Sequence, residues 1–179
     1  MSETTEKEPA VTELADFRRS KNQFMLNDHD SPLTEEQRRD RRDLSYFDED
    51  PDLSFTPALE PYDNQEIVEL QTSTGDVSRF LRWGSISFTV DGEPARLTVY
   101  KDPDGGDYFL PFADATSGSE TYGAGRYLEL RTVHDGQVLA DFNYAYNPYC
   151  AYNEMWSCPL TPGENRLSVA IRAGEKAYK

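Results

Sequence analysis

Beyond Gln65, apolar residues recur at every second position through most of the chain. Ile86, Phe88 and Val90 alternate with polar neighbours, as do Leu97 and Val99, Leu128 and Leu130, and Leu167, Val169 and Ile171. Successive side chains of a strand point to opposite faces of a sheet, so this period of two marks half-buried strands. It predicts eight of them, over residues 65–71, 77–83, 85–91, 95–101, 107–112, 126–133, 138–144 and 166–172. Asp91-Gly92 and Asp135-Gly136 fall between such runs as hairpin turns, and PDGGD at 103–107 gives a longer one. Short turns with no helical pattern between them imply an antiparallel meander, whose edges must be hidden by closure or stacking. The expected fold is mainly β, a barrel or sandwich preceded by two short N-terminal helices.

The period differs in the first third of the chain. Over residues 12–26, Leu14, Phe17, Phe24 and Met25 fall at helical spacing, with Arg18, Arg19 and Lys21 on other faces. Thr34 followed by Glu35, Glu36 and Gln37 predicts a capping box, in which the threonine oxygen and the glutamine side chain satisfy each other's backbone amides. Arg38, Arg39, Arg41 and Arg42 then suit the negative end of that second helix. The run DEDPDLSFTPALEPYDN carries three prolines and no period, and reads as a linker or extended wrap. The predicted organisation is a disordered tail at 1–11, a helical segment and wrap at 12–63, and an antiparallel β domain at 64–179.

Charge narrows the function classes. With 33 acidic residues against 18 basic ones the net charge is −15, which repels duplex nucleic acid and anionic membrane at long range. Neither is an expected partner. The basic residues are 13 Arg and only 5 Lys, and an acidic, lysine-poor surface suits a protein adapted to salt, where screening relieves self-repulsion. A halophilic protein is expected. Hydrophobic residues make up a lean 37%, but 11 Tyr, 9 Phe and 2 Trp supply the bulk for a folded core. The first 15 residues have neither a basic nor an apolar targeting region, and no window of 18 apolar residues exists, so a soluble, cytoplasmic protein is expected. Cys150 and Cys158 are the only cysteines, and in cytosol they are expected to be reduced thiols.

Two stretches resist a purely structural reading: residues 113–125, ADATSGSETYGAG, and residues 144–165, YAYNPYCAYNEMWSCPLTPGEN. The second is far longer than the usual connection of about 4–6 residues. Its tyrosines, with Trp156, can bury large areas, so an ordered loop folded over the barrel mouth or a sheet face is expected. The segments PFADATSGSETYGAGRYLEL, DFNYAYNPYCAYNEMWSCPL and PGENRLSVAIRAGEK resemble a known family, family 1684 of the domains of unknown function, with a weaker echo in SPLTEEQR and LSYF. The resemblance spans about 140 residues. It implies no settled activity, and its main consequence is that these loops belong together.

On the predicted strand 138–144, Asp141 and Asn143 share one face. A buried carboxylate there needs a cationic partner, and Arg126 or Arg166 is the expected source. The leading functional reading is a polar pocket that binds a small molecule, lined by Arg126, Asp141, Asn143, Tyr146, Asn147, Tyr152 and Arg166. The competing structural reading is an Arg–Asp brace that pins the long loop. The runner-up function is a hydrolase using Asp141 or Glu164 as base, with Arg126 holding an anionic substrate group. A third is a protein-interaction module anchored by exposed aromatics.

Other chemistry finds less support. Cys150 as a nucleophile needs a base, and His29 and His134 are not obvious partners. Two cysteines alone do not make a zinc signature, and Asp114, Glu120, Glu154 and Glu164 are unremarkable in so acidic a chain. The glycines Gly118, Gly123 and Gly125 do not form a phosphate loop, and SGSET around Ser119 is not a nucleophile elbow. No metal or cofactor is expected.

Overall fold

Both Asp-Gly dipeptides turn the chain as their chemistry requires: Asp91 and Gly92 take φ of 49° and 81°, and Asp135 and Gly136 take 52° and 74°. Positive φ at both central positions is the type I′ geometry whose twist matches that of the flanking strands. These turns belong to a computed structural model that describes residues 12–179. The expected tail at 1–11 lies outside the described residues.

The described chain forms two compact units, which divide between Arg42 and Asp43. The first holds α1 (Glu13–Asn27) and α2 (Glu35–Arg39). Thr12 caps α1 by accepting from the amide of Ala15 at 3.1 Å, and Leu14 and Met25 are buried. At α2 the capping box is complete: Gln37 donates its amide to Thr34 Oγ1 at 3.2 Å, and the Thr34 amide donates to Gln37 Oε1 at 2.9 Å.

The second unit is built from antiparallel pairs. Its strands are β1 (Ser54–Phe55), β2 (Glu60–Pro61), β3 (Ile67–Gln71), β4 (Val77–Val90), β5 (Glu93–Lys101), β6 (Tyr108–Phe112), β7 (Arg126–Glu129), β8 (Arg131–Thr132) and β9 (Val138–Asp141). One sheet runs β2-β4-β5-β6-β7, with β3 sharing the same edge of β4 as β2; a smaller sheet runs β1-β9-β8. Of the expected barrel or sandwich, a closed barrel is not formed: no register joins β7 to β2 or β3 among the described residues. Two open antiparallel sheets share one core. Ile86, Leu97, Val99, Leu110 and Phe112 of the larger sheet pack with Ala140 and Phe142 at the end of the smaller one. Phe142 bridges them, with ring centroids 5.3 Å from Phe88 and 5.1 Å from Phe112.

Three boundaries differ from the sequence expectation, each for a local reason. Residues 77–90 form one strand, because the pairing slips by one residue between Arg82 and Gly84 and continues past the bulge. Gly84 is needed there: a Cβ would sit 2.3 Å from the carbonyl oxygen of Glu60, where β2 lies alongside. The run at 126–133 splits into β7 and β8 because the chain leaves one sheet for the other at Leu130. The wrap at 48–63 belongs to the β unit, tied by β1 and β2 and by the Leu59 amide donating to the Gly136 carbonyl at 2.8 Å.

Candidate functional site

The loop 113–125 folds on its own side chains. Asp114 Oδ1 accepts from the Thr116 amide at 2.7 Å and from its hydroxyl at 2.5 Å, and Thr116 and Thr121 share a hydroxyl bond at 2.9 Å. This leaves Asp114 Oδ2 for Arg126 at the start of β7, whose Nη2 donates to it at 2.9 Å. Both side chains are essentially excluded from solvent. The same guanidinium donates to three carbonyls of the C-terminal segment: Ile171 at 2.8 Å, Glu175 at 3.1 Å, and Ala173. Burial pulls the pKa of Arg126 down, and Asp114 opposes that pull. A buried cation of this kind is tolerated because nearly all of its donors are used.

The C-terminal strap is therefore no strand. Its alternation of apolar residues over 166–172 is real, but from Ile171 onward alternate carbonyls, those of Ile171, Ala173 and Glu175, converge on one guanidinium instead of a neighbouring strand. Residues upstream run parallel to the loop at 113–115, with the Leu167 amide donating to the Ala113 carbonyl at 2.8 Å.

The tyrosine-rich loop is ordered throughout by specific bonds. Tyr146 and Tyr127 exchange both backbone bonds, at 2.8 and 3.0 Å. Glu175, wholly buried, accepts on Oε2 from the Asn147 amide at 2.5 Å and from the Tyr152 hydroxyl at 2.7 Å. The Asn147 side chain donates to the Lys176 carbonyl at 3.0 Å, and Tyr127 donates to the Pro159 carbonyl at 2.5 Å. Burial raises the phenol pKa of Tyr146 and of Tyr152. At the far end Asn165 donates to the carbonyls of Thr98 and Pro111 and accepts from the Thr98 amide, each at 2.8 Å.

The expected site residues thus separate into three groups. Arg126, Tyr146, Asn147 and Tyr152 gather around Asp114 and Glu175. Asp141 and Asn143 do meet, but through a 3-10 turn at Phe142–Tyr144 that ends β9. Asp141 caps that turn, accepting the Asn143 amide at 3.1 Å and side-chain nitrogen at 2.8 Å, while Asn143 clasps the backbone of Asp50. The cation expected beside Asp141 is thus replaced by amide donors, because Arg126 is committed to Asp114. Glu164 forms the third group: it takes a bidentate pair from Arg82, closest at 2.7 Å, and a bond from the Tyr100 hydroxyl. The Arg82 hydrogen bond holds the Glu164 carboxyl below its ordinary value, against burial. Arg166 is exposed. The hydrolase arrangement, with Arg126 beside Asp141 or Glu164, is not formed.

None of these residues lines the open depression on the β4–β5 hairpin, a volume of about 450 Å³ bounded by Ser87, Phe88, Thr89, Pro94, Ala95 and Arg96. Asp28, His29 and Asp30 form the cluster of possible metal ligands among the described residues, on the solvated end of α1. Sequence reasoning missed Glu175 and the pairing of Asp114. The D-x-T spacing at Asp114 is a readable local signal for a turn, whereas nothing near Glu175 marks it as a hub. It also missed the proximity of Cys150 and Cys158, both buried and unbridged.

The comparisons agree with this architecture. The structure is similar to that of an uncharacterized protein of Haloarcula marismortui, determined in solution by NMR, with 38% identity over 91% of each chain and a TM-score of 0.70. No curated protein matches the sequence. Residues 40–176 match the family described as protein of unknown function, DUF1684, which takes in the β unit, the Arg126 clamp and the tyrosine-rich loop, and the chain belongs to that family.

Proposed function

We propose that the domain works by non-covalent recognition of a protein partner, through the tip of the tyrosine-rich loop at residues 153–157. The observation that carries this is the display of Met155, 88% exposed, and Trp156, 41% exposed, on a loop that is otherwise fixed. Trp156 packs edge-on against Tyr149 at 5.1 Å, and its carbonyl accepts from Ser73 Oγ at 3.0 Å. Ser157 accepts from Thr74 at 2.7 Å, and Asn153 Oδ1 accepts the Met155 amide at 3.1 Å. A pre-ordered tip loses little entropy on binding, and Trp and Met are effective anchors for an apolar pocket. The charge of −15 favours a partner whose pocket has a basic rim. The setting proposed with this reading is a salt-rich cytoplasm.

A photo-crosslinking amino acid at Met155, compared with one at the exposed Val133, tests the reading in cells. One discrete adduct from position 155 and none from 133 supports it. No adduct, or the same products from both positions, contradicts it.

A second reading, small-molecule binding around Arg126, Asn147 and Tyr152, has its own observation. Arg126 Nε, Asn147 Oδ1 and Thr161 Oγ1 are buried with no hydrogen-bond partner. Groups of that kind are normally satisfied by a buried water or a polar guest. Native mass spectrometry of the freshly purified protein distinguishes a bound guest from a bare chain.

A further inference from the structure

We propose that Cys150 and Cys158 form a dithiol site for hydroperoxides, in which Cys150 attacks the peroxide and Cys158 closes an intramolecular disulfide. Two contacts place the sulfurs. The Cys150 amide donates to Cys158 Sγ at 3.3 Å, and the Tyr122 hydroxyl lies 3.6 Å from Cys150 Sγ. Cys158 is itself fixed, its amide donating to Ser73 Oγ at 3.1 Å and its carbonyl accepting from the Ser73 amide at 2.9 Å. With Cys158 Sγ seated on the Cys150 amide, the two side chains are neighbours, the arrangement from which a disulfide bond of about 2.05 Å is made.

The surroundings assign the roles. Cys158, with the Tyr122 hydroxyl 3.6 Å from Cys150 Sγ, pulls the Cys150 thiol down against burial. Cys150, the sulfur with that hydroxyl beside it, takes the attacking role, and Cys158 the role of proton donor. Exposures of 5% and 7% shut out a bulky disulfide oxidant, which makes a small hydroperoxide the class of oxidant that suits the pair. The Cys150 thiolate attacks the terminal oxygen of ROOH, the O–O bond breaks, and the alkoxide leaves with a proton from Cys158, giving a sulfenic acid and ROH. Cys158 sulfur then attacks Cys150 sulfur and expels hydroxide, which leaves as water after taking a proton from the medium. The proton taken from the medium replaces the one Cys150 released on ionising, so the net reaction balances: two thiols and ROOH give a disulfide, ROH and water.

The test treats the full, reduced chain with hydrogen peroxide at pH 7, then measures intact mass and free thiols. The expected result is a product lighter by two hydrogens with no free thiol, reversed by dithiothreitol, formed about tenfold faster than thiols are lost in the urea-unfolded chain. In Cys158→Ser, dimedone should trap a sulfenic acid on Cys150, whereas Cys150→Ser should react no faster than the unfolded chain. Separate over-oxidation of each cysteine, or a folded rate at or below the unfolded one, overturns the proposal. Wild-type protein alone decides it if a variant fails to fold.

Discussion

Gly174 shows how tightly single residues are specified around the strap. It sits at φ 77°, and a Cβ there would lie 2.6 Å from the Ala145 carbonyl oxygen and 2.8 Å from that of Phe142. The strap can approach the 3-10 turn after β9 so closely only where the side chain is a hydrogen atom, and this approach brings Glu175 to Asn147 and Tyr152. Gly174→Ala should therefore cost about 2–4 kcal/mol, combining left-handed strain with overpacking against backbone. Gly92, at φ 81° with nothing within 4 Å of its missing Cβ, is the comparison: Gly92→Ala should cost about 1 kcal/mol. Urea unfolding of the two variants checks the ranking, and equal losses would contradict it.

At the scale of elements, the strands, the first hairpin turn and the capping box were legible because their causes are local. Alternation, an Asp-Gly pair and a Thr three residues before a Gln each act within a few positions. The barrel was not: whether β7 meets β2 or β3 depends on contacts that no window of sequence contains. The partner of Arg126 was missed because Asp114 lies in a loop whose shape comes from threonine hydroxyls, so Asp141, on a predicted strand, looked the better match although Asp114 is only twelve residues from Arg126. Glu164 was legible as a conspicuous acid but not as a tether. The turn Gly163–Asn165 is held to β4 and β5 by Arg82 and Tyr100 through that carboxylate. Its folded pKa lies below the ordinary glutamate value of 4.5, so its stabilisation is complete above that pH and fades as the pH falls through the lower folded value. Between about pH 6 and pH 3, Glu164→Gln should lose less stability than the parent chain, because its tether no longer titrates. Parallel losses in pH-dependent thermal unfolding would contradict this.

At the scale of the whole molecule, the β unit is two open sheets over one core, closed at its end by the strap and the two loops that the sequence marked as belonging together. The family match and the NMR relative cover this same unit, so the loops and the clamp come as one design with the sheets. The buried arginine is a structural clamp, joining the 113–125 loop to the C-terminal segment through Asp114 and three carbonyls. Replacing Arg126 with Met leaves Asp114 buried without its cation and releases three strap carbonyls. The most direct test is the unfolding free energy of Arg126→Met by urea titration at neutral pH. The account predicts a loss of about 3–5 kcal/mol or a chain that does not fold; a variant as stable as the parent would contradict it.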